Sequence, residues 1–331
     1  MGKPLTFSVG IPTFNQAEFL GETIESLLKQ TWPPDEIVVS DHYSTDETLA
    51  VVDRFRGRVR LAQPPPGVTL TGQYNFTLTS QSCDWITLLS SDDIALPVFA
   101  ETLMRGASSR EDAVLVRAGW ENVDAAGKTV GMNYMLRSPK VELPPDTLLS
   151  QRHGPKVSFA AFAVRRIAYE QSGPILETLE SLADWALFVQ LAPFGAFVYE
   201  DRIVSKYRVG HDGNKFRRRV DMWIRDEQRM FYEVMPLAAE RAGIADREWI
   251  DEASRANFLR YLASASREFK GEERADIAQL FESWAARVGG EAELRRFAAG
   301  DNVTVPASLL QRGKKLVRPL AQHIYARLRK A

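Results

Sequence analysis

Residues 1–100 alternate between short apolar runs and stretches whose apolar residues recur at helical spacing, and few architectures accept that order. Residues 7–11 (Phe7, Val9, Ile11) read as a strand, stopped by Pro12, which has no N–H to give a central ladder. Residues 17–29 carry Phe19, Leu20, Ile24, Leu27 and Leu28 on one helical face. Residues 36–40 form a second strand, 45–55 a helix, 59–62 a strand, 70–80 a helix and 85–89 the next strand. Strands joined through helices pair in parallel, because the crossover returns the chain to the edge it left. An α/β fold is therefore expected, a mostly parallel sheet flanked by helices. Residues 114–116 add a strand, and 122–132, with Ala125-Ala126-Gly127-Lys128 at the turn, a hairpin.

From about residue 145 the pattern changes. Residues 177–191 read as an amphipathic helix, 197–199 and 203–207 as short strands, and 210–214 as a polar loop. Beyond Phe216 the chain reads as helix, punctuated by Gly243, Gly271, Gly289, Gly290 and Gly300. The expected organisation is one domain over 1–214 and an α-helical C-terminal extension over 215–331. Its last part, 305–331, sets Leu309, Leu316, Leu320 and Ile324 against Lys314, Lys315, Arg318 and Arg327. Such a stretch suits peripheral contact with an anionic membrane, and equally a helix packed on the domain with a solvated basic side.

A net charge of −1 gives no reason to expect a nucleic-acid partner. The one cysteine, Cys83, excludes an intrachain disulfide and reads as a small buried residue. Apolar runs such as 159–164 fall far short of the roughly 20 residues a bilayer requires, and the polar loop near residue 15 speaks against a leader peptide. A cytoplasmic location is expected.

In an open parallel sheet, ligands bind at the carboxyl ends of the strands. Pro12-Thr13-Phe14-Asn15 follows the first strand, Asp41-His42-Tyr43-Ser44-Thr45-Asp46 the second, and Ser90-Ser91-Asp92-Asp93 the strand at 85–89. Adjacent carboxylates there suit Mg²⁺ or Mn²⁺ with substrate phosphates, although Asp92-Asp93 also reads as a turn and Ser44, Thr45 or Asp46 as a helix cap. No Gly-x-Gly-x-x-Gly follows the first strand and no Gly-Lys-Ser/Thr occurs, so dinucleotide and P-loop readings lack their glycines.

Together, Ser8-Val9-Gly10-Ile11-Pro12-Thr13-Phe14-Asn15, residues 23–31, Glu36-Ile37-Val38-Val39-Ser40-Asp41, Ser44-Thr45-Asp46, Ser91-Asp92-Asp93 and Ala183-Asp184-Trp185-Ala186-Leu187 resemble family 2 glycosyltransferases of the GT-A fold. The resemblance covers 5–212 and leaves the helical tail aside. It implies that Pro12, Thr13, Asn15 and Asp41 hold the nucleotide of a UDP- or dTDP-sugar. Asp92 and Asp93 would contact ribose and a Mn²⁺ or Mg²⁺ ion, Asp184 would be the general base, and Arg208 and His211 would lie near the phosphates, His211 as a further metal ligand. The acceptor would be a saccharide or lipid-linked glycan, and one base with direct displacement implies inversion. Glu180, one helical turn from Asp184, is the second candidate base. Trp120, His153 and Trp185 read either as an acceptor platform or as core. His42, Tyr43, Ser90 and Ala183 depart from the family pattern, and no Gln-x-x-Arg-Trp is present. An inactive nucleotide-binding or scaffolding relative on the same fold is the alternative. A nucleotidyltransferase lacks the glycine-rich basic loop it would need.

Overall fold

The computed structural model describes residues 5–133, 140–151, 159–209 and 216–244, most of 251–266, and 275–287. In chain order the first elements are β1 (Phe7–Thr13), α1 (Ala17–Leu28), β2 (Glu36–Asp41), α2 (Thr48–Asp53), β3 (Arg60–Ala62), α3 (Leu70–Thr79), β4 (Trp85–Leu88), β5 (Ile94–Ala95) and α4 (Phe99–Ser108). They are followed by β6 (Ala113–Val123), β7 (Thr129–Asn133), β8 (Val141–Glu142), α5 (Asp146–Leu149), β9 (Phe162–Arg165), α6 (Arg166–Ser172), α7 (Ala183–Leu191) and β10 (Ala196–Arg208). Behind them come α8 (Phe216–Arg229), a π-helical turn (Met230–Val234), α9 (Met235–Arg241) and a helix at Ala275–Arg287.

Contacts group the chain into two units. One is Met1–Leu143 with Lys156–Glu177 and Phe194–Gly213; the other is Pro144–Pro155 with Thr178–Pro193 and Asn214–Ala331. The second thus takes in segments 144–155 and 178–193 from the N-terminal side of the sequence boundary at 214.

In the first unit the strands run β3-β2-β1-β4-β9-β6-β10-β5, with β7 on β6 and β8 on β10. β1 is buried at all seven positions and pairs in parallel with β2 on one side and β4 on the other. Strands covered on both faces need continuous apolar runs, which is what the sequence shows there. Pro12 does not end β1: the strand continues to Thr13, opposite Asp41. α1 buries Leu20, Thr23, Ile24 and Leu27. At Gly10 a Cβ would stand 2.6 Å from the Thr77 methyl and 2.7 Å from Gln81 Nε2, so α3 lies on β1 at a distance only glycine allows. Gly10→Ala is expected to cost about 1–3 kcal/mol in urea unfolding. Unchanged stability would mean that α3 can move away freely.

The sheet departs from the sequence reading in two places. β9, which begins in the apolar run 159–164 and ends at Arg165, inserts antiparallel between β4 and β6. The two short strands at 197–199 and 203–207 are one strand, β10, whose register against β6 shifts between Tyr199 and Ser205. The expected hairpin at 122–132 is β6–β7, with Asp124 accepting the N–H of Ala126 and Lys128 at its turn. Cys83 is buried, and desolvation raises its thiol pKa.

In the second unit, α7 starts at Ala183 rather than 177, because the N–H groups of Glu180 and Ser181 are taken by the Asp226 carboxylate instead of a helical ladder. Eight of its nine residues are buried, Asp184 being the exception, so it is a central helix rather than an amphipathic one. Among the described residues no helix is long and apolar enough to cross a membrane. His153, His211 and the basic stretch 305–331 lie outside the described residues.

Candidate active site

The parallel run of β2, β1 and β4 brings the polar clusters that follow them to one edge of the first unit. Asp41 ends β2, fully buried, and accepts the Ser44 N–H at 3.2 Å and Gln63 Nε2 at 3.1 Å. Asn15 ties this loop to the one after β1: its amide oxygen accepts the Thr45 N–H at 2.8 Å, and its own N–H donates to Ser44 Oγ at 2.9 Å. Asn15 and Tyr43 both hold positive φ, 51° and 58°. A left-handed backbone is ordinary for asparagine and costs a tyrosine on the order of 1 kcal/mol or more, strain of the kind that collects at functional loops. The Tyr43 hydroxyl is fixed by donating to the Pro64 carbonyl at 2.9 Å. The rings of Phe14 and His42 lie 6.0 Å apart and those of His42 and Tyr43 6.3 Å, with Phe14 and Tyr43 exposed. His42 and Tyr43, two of the residues that depart from the family pattern, thus extend an open aromatic surface beginning at Phe14.

Gln73 of α3 donates to the carbonyls of Thr13 (3.1 Å) and Ser40 (3.0 Å), pinning β1 to β2 where the loops begin. The hydroxyls of Thr13 and Ser40 are buried without a hydrogen-bond partner. Asp46, by contrast, is a cap: it accepts the N–H of Ala17 at the start of α1 and the N–H of Thr48 at the start of α2.

Beyond β4, Thr23 of α1 reaches the carbonyls of Ser91 (2.9 Å) and Asp93 (2.8 Å) and fixes the acidic turn. Asp93 is fully buried. One oxygen accepts the Arg208 N–H at 2.9 Å, and the other has no partner. Burial, reinforced by the charge of Asp92, pushes its carboxyl well above the usual range against the pull of Arg208. Among the described residues no three His, Cys, Asp or Glu side chains gather to hold a metal. The pair nevertheless fits a divalent cation that takes one or two carboxylates and completes its shell with phosphate and water, since the unpartnered Asp93 oxygen lacks the positive partner such an ion provides.

Arg208 does different work from that expected of it. Its guanidinium is buried and donates to the Asp92 carbonyl (2.9 Å), the Ala125 carbonyl (2.7 Å) and Glu22 (2.9 Å), with its plane 4.7 Å over the Phe19 ring. It clamps the acidic turn and the hairpin turn together, and its donors point at protein rather than at a ligand edge. Trp120 is partly buried against the core, its indole N–H spent on Asn122 at 3.2 Å.

In the second unit, Asp184 opens α7 and accepts the Trp185 N–H at 2.7 Å. Desolvation outweighs that hydrogen bond and lifts its carboxyl to about 7. Glu180 is not one helical turn away, since it precedes α7 in the segment held by Asp226. Trp185 is fully buried, donates to the Gln151 carbonyl at 3.1 Å and meets Phe231 edge-on at 5.5 Å. It is core, not an acceptor platform. Pro12, Thr13, Asn15, Asp41, Asp92, Asp93 and Arg208 therefore share one edge of the first unit, whereas Asp184 belongs to the second.

Sequence reasoning missed Thr23, Gln63, Gln73 and Asp226. The one signal available was α3, whose buried face is polar (Thr71, Gln73, Asn75, Thr77) where an apolar stripe would be usual.

The family model for glycosyl transferase family 2 matches residues 8–173, half of the chain. Chondroitin synthase of Pasteurella multocida (strain Pm70) is 24% identical over 217 residues, 65% of this chain and 22% of that protein. The poly(ribitol-phosphate) β-N-acetylglucosaminyltransferase TarS of Staphylococcus aureus (strain Mu50) is 32% identical over 157 residues, 45% of this chain and 26% of that protein. The chain thus spans about a fifth to a quarter of the length of these curated relatives. The crystal structure of S. aureus TarS 1–349 in complex with UDP-GlcNAc superposes with a TM-score of 0.55 at 15% identity, over 86% of this chain and 92% of that one. The shared fold is the GT-A arrangement, a mixed α/β sheet flanked by helices.

Proposed function

This chain belongs to glycosyl transferase family 2, and from that premise we propose that it is an inverting, divalent-metal-dependent glycosyltransferase. It moves one sugar from a UDP-sugar to a hydroxyl of a saccharide or lipid-linked glycan. The carrying observation is the buried Asp93 beside Asp92 at the end of β4, with one carboxylate oxygen unpartnered on the strand edge where nucleotides bind in such sheets.

Asp92 and Asp93 would hold Mn²⁺ or Mg²⁺, which neutralises charge on the departing diphosphate. The chain's own residues do the rest. Phe14, His42 and Tyr43 offer rings on which a base stacks, and the Thr13 hydroxyl is free to bond it or the ribose. Asp184 takes the proton of the attacking hydroxyl, a role for which a carboxyl near 7 is well matched. A single base with direct displacement inverts the anomeric carbon. The TarS complex makes UDP-GlcNAc the first donor to try. The basic stretch 305–331 would suit a lipid-linked acceptor at the cytoplasmic face of a membrane.

Thermal unfolding with UDP, dTDP and GDP, each with and without Mn²⁺, tests the donor site. At a hundredfold excess over Kd, a ligand specific for the folded state adds about 2.7 kcal/mol. The expected result is a shift with UDP that needs Mn²⁺, and a weakening of UDP by about tenfold in Phe14→Ala. No shift with any pair would favour the inactive relative.

A further inference from the structure

The helical extension after residue 214 lies beyond the segment 8–173 matched by the family, and the site so far described makes no use of it. Yet α8 reaches the chain that leads into α7. Asp226 is 1% exposed, and its Oδ2 accepts the Glu180 N–H (2.9 Å), the Ser181 N–H (2.7 Å) and the Ser181 hydroxyl (2.8 Å). One turn along α8, Arg229 donates to the Thr178 carbonyl and stands 3.8 Å from the other Asp226 oxygen. The first hydrogen bond of α7 closes directly behind, from Ala186 N–H to the Leu182 carbonyl. Segment 178–182 therefore has its polar backbone held from α8, and Asp184 is the second residue of the helix that segment delivers.

We propose that Asp226 is a positioning residue for sugar transfer, holding Glu180 and Ser181 so that Asp184 enters α7 in one fixed geometry. The proposal rests on the reading of Asp184 as general base. An acceptor oxygen is the group required: one oxygen meets three donors, and removing it strands two backbone N–H groups that would otherwise have to find water or a new path for the loop. Neighbouring Glu227 does not compete for these donors as an anion. Burial, and then the charge of Asp226, lift its carboxyl to about 8.

Full-length protein labelled with ¹³C at aspartate carboxyls reports Asp184 directly, its signal identified by its absence in Asp184→Asn. In wild type the titration midpoint is expected at about 7. In Asp226→Ala, water reaches the start of α7 and the midpoint falls toward the ordinary aspartate range. Asp226→Asn, whose amide oxygen accepts the same N–H groups, restores most of it. In parallel, UDP release from UDP-GlcNAc with Mn²⁺ should show kcat down about tenfold or more in Asp226→Ala with donor KM within about twofold, and no further loss when Asp226→Ala is added to Asp184→Asn.

A wild-type midpoint and wild-type kcat in Asp226→Ala would overturn the positioning role while leaving the base in place. Undiminished turnover in Asp184→Asn would instead remove the base, and the positioning role with it. Should Asp226→Ala not fold, Asp226→Glu carries the test. It keeps the charge but displaces the segment by a methylene, and an unmoved Asp184 midpoint there overturns the proposal.

Discussion

Asp184→Asn is expected to lower kcat by about 10²–10⁴-fold, the usual worth of a positioned general base, while making the folded protein more stable at alkaline pH. Both effects come from one carboxyl, lifted from the ordinary 3.8 to about 7 by desolvation. The sign follows from proton binding. Below pH 4 the group is protonated whether the chain is folded or not, and it contributes nothing. Between pH 4 and 7 the unfolded chain releases its proton and the folded chain keeps it, so stability falls as pH rises and then levels off. At about 1.4 kcal/mol per tenfold in the proton equilibrium the loss is capped near 4 kcal/mol, and solvent contact at this partly exposed side chain brings it to about 2 kcal/mol.

Asparagine removes that penalty and can still accept the Trp185 N–H. Urea unfolding at pH 4.0 and 8.0 should therefore show the variant equal to wild type at the first and more stable at the second. The wild-type pH profile of kcat/KM should have its acidic limb near 7, and that limb should vanish in the residual activity of Asp184→Asn. Transfer within a few-fold of wild type in a folded Asp184→Asn would assign the proton to another group. A limb near 4 would mean a solvated carboxylate.

Asp93→Asn is expected to abolish metal-dependent turnover while leaving the fold in place. One carboxylate oxygen accepts the Arg208 N–H at 2.9 Å, a bond an amide oxygen can keep. The other has no partner, and what it loses in the variant is charge. Neutralising a leaving diphosphate is worth several kcal/mol, so the loss of turnover should reach about 10²–10⁴-fold. Without metal the variant should match or exceed wild type in thermal stability, because a carboxyl whose ionisation burial and Asp92 both disfavour has been replaced by a neutral amide. With Mn²⁺ and UDP the order should reverse, wild type rising and the variant not. A variant that still gains stability from Mn²⁺ with UDP would shift the metal to Asp92 alone.

The sequence by itself determined the parallel strands and the edge on which they place their polar loops. Apolar runs of five residues separated by helical periods admit little else, and Asp41, Asp92 and Asp93 follow strands whose position the periodicity already gives. It also carried enough of the family pattern, from Ser8 to Asp184, to name the chemistry. The tertiary structure alone decided which residues are free to act. Arg208 reads as a cation near phosphates until its guanidinium is seen spent on Asp92, Ala125 and Glu22. Trp185 reads as a platform until Phe231 and Gln151 enclose it. Glu180 shares a helical face with Asp184 only if residues 177–191 are one helix, and Asp226, 45 residues from Ser181, takes the N–H groups that helix would need. Periodicity reports which side of an element is buried; it says nothing of what arrives from a distant part of the chain to occupy a donor, remove water from a carboxyl or enclose a ring. Burial in the folded chain lifts Asp184 to about 7, and one oxygen of Asp93 is left bare.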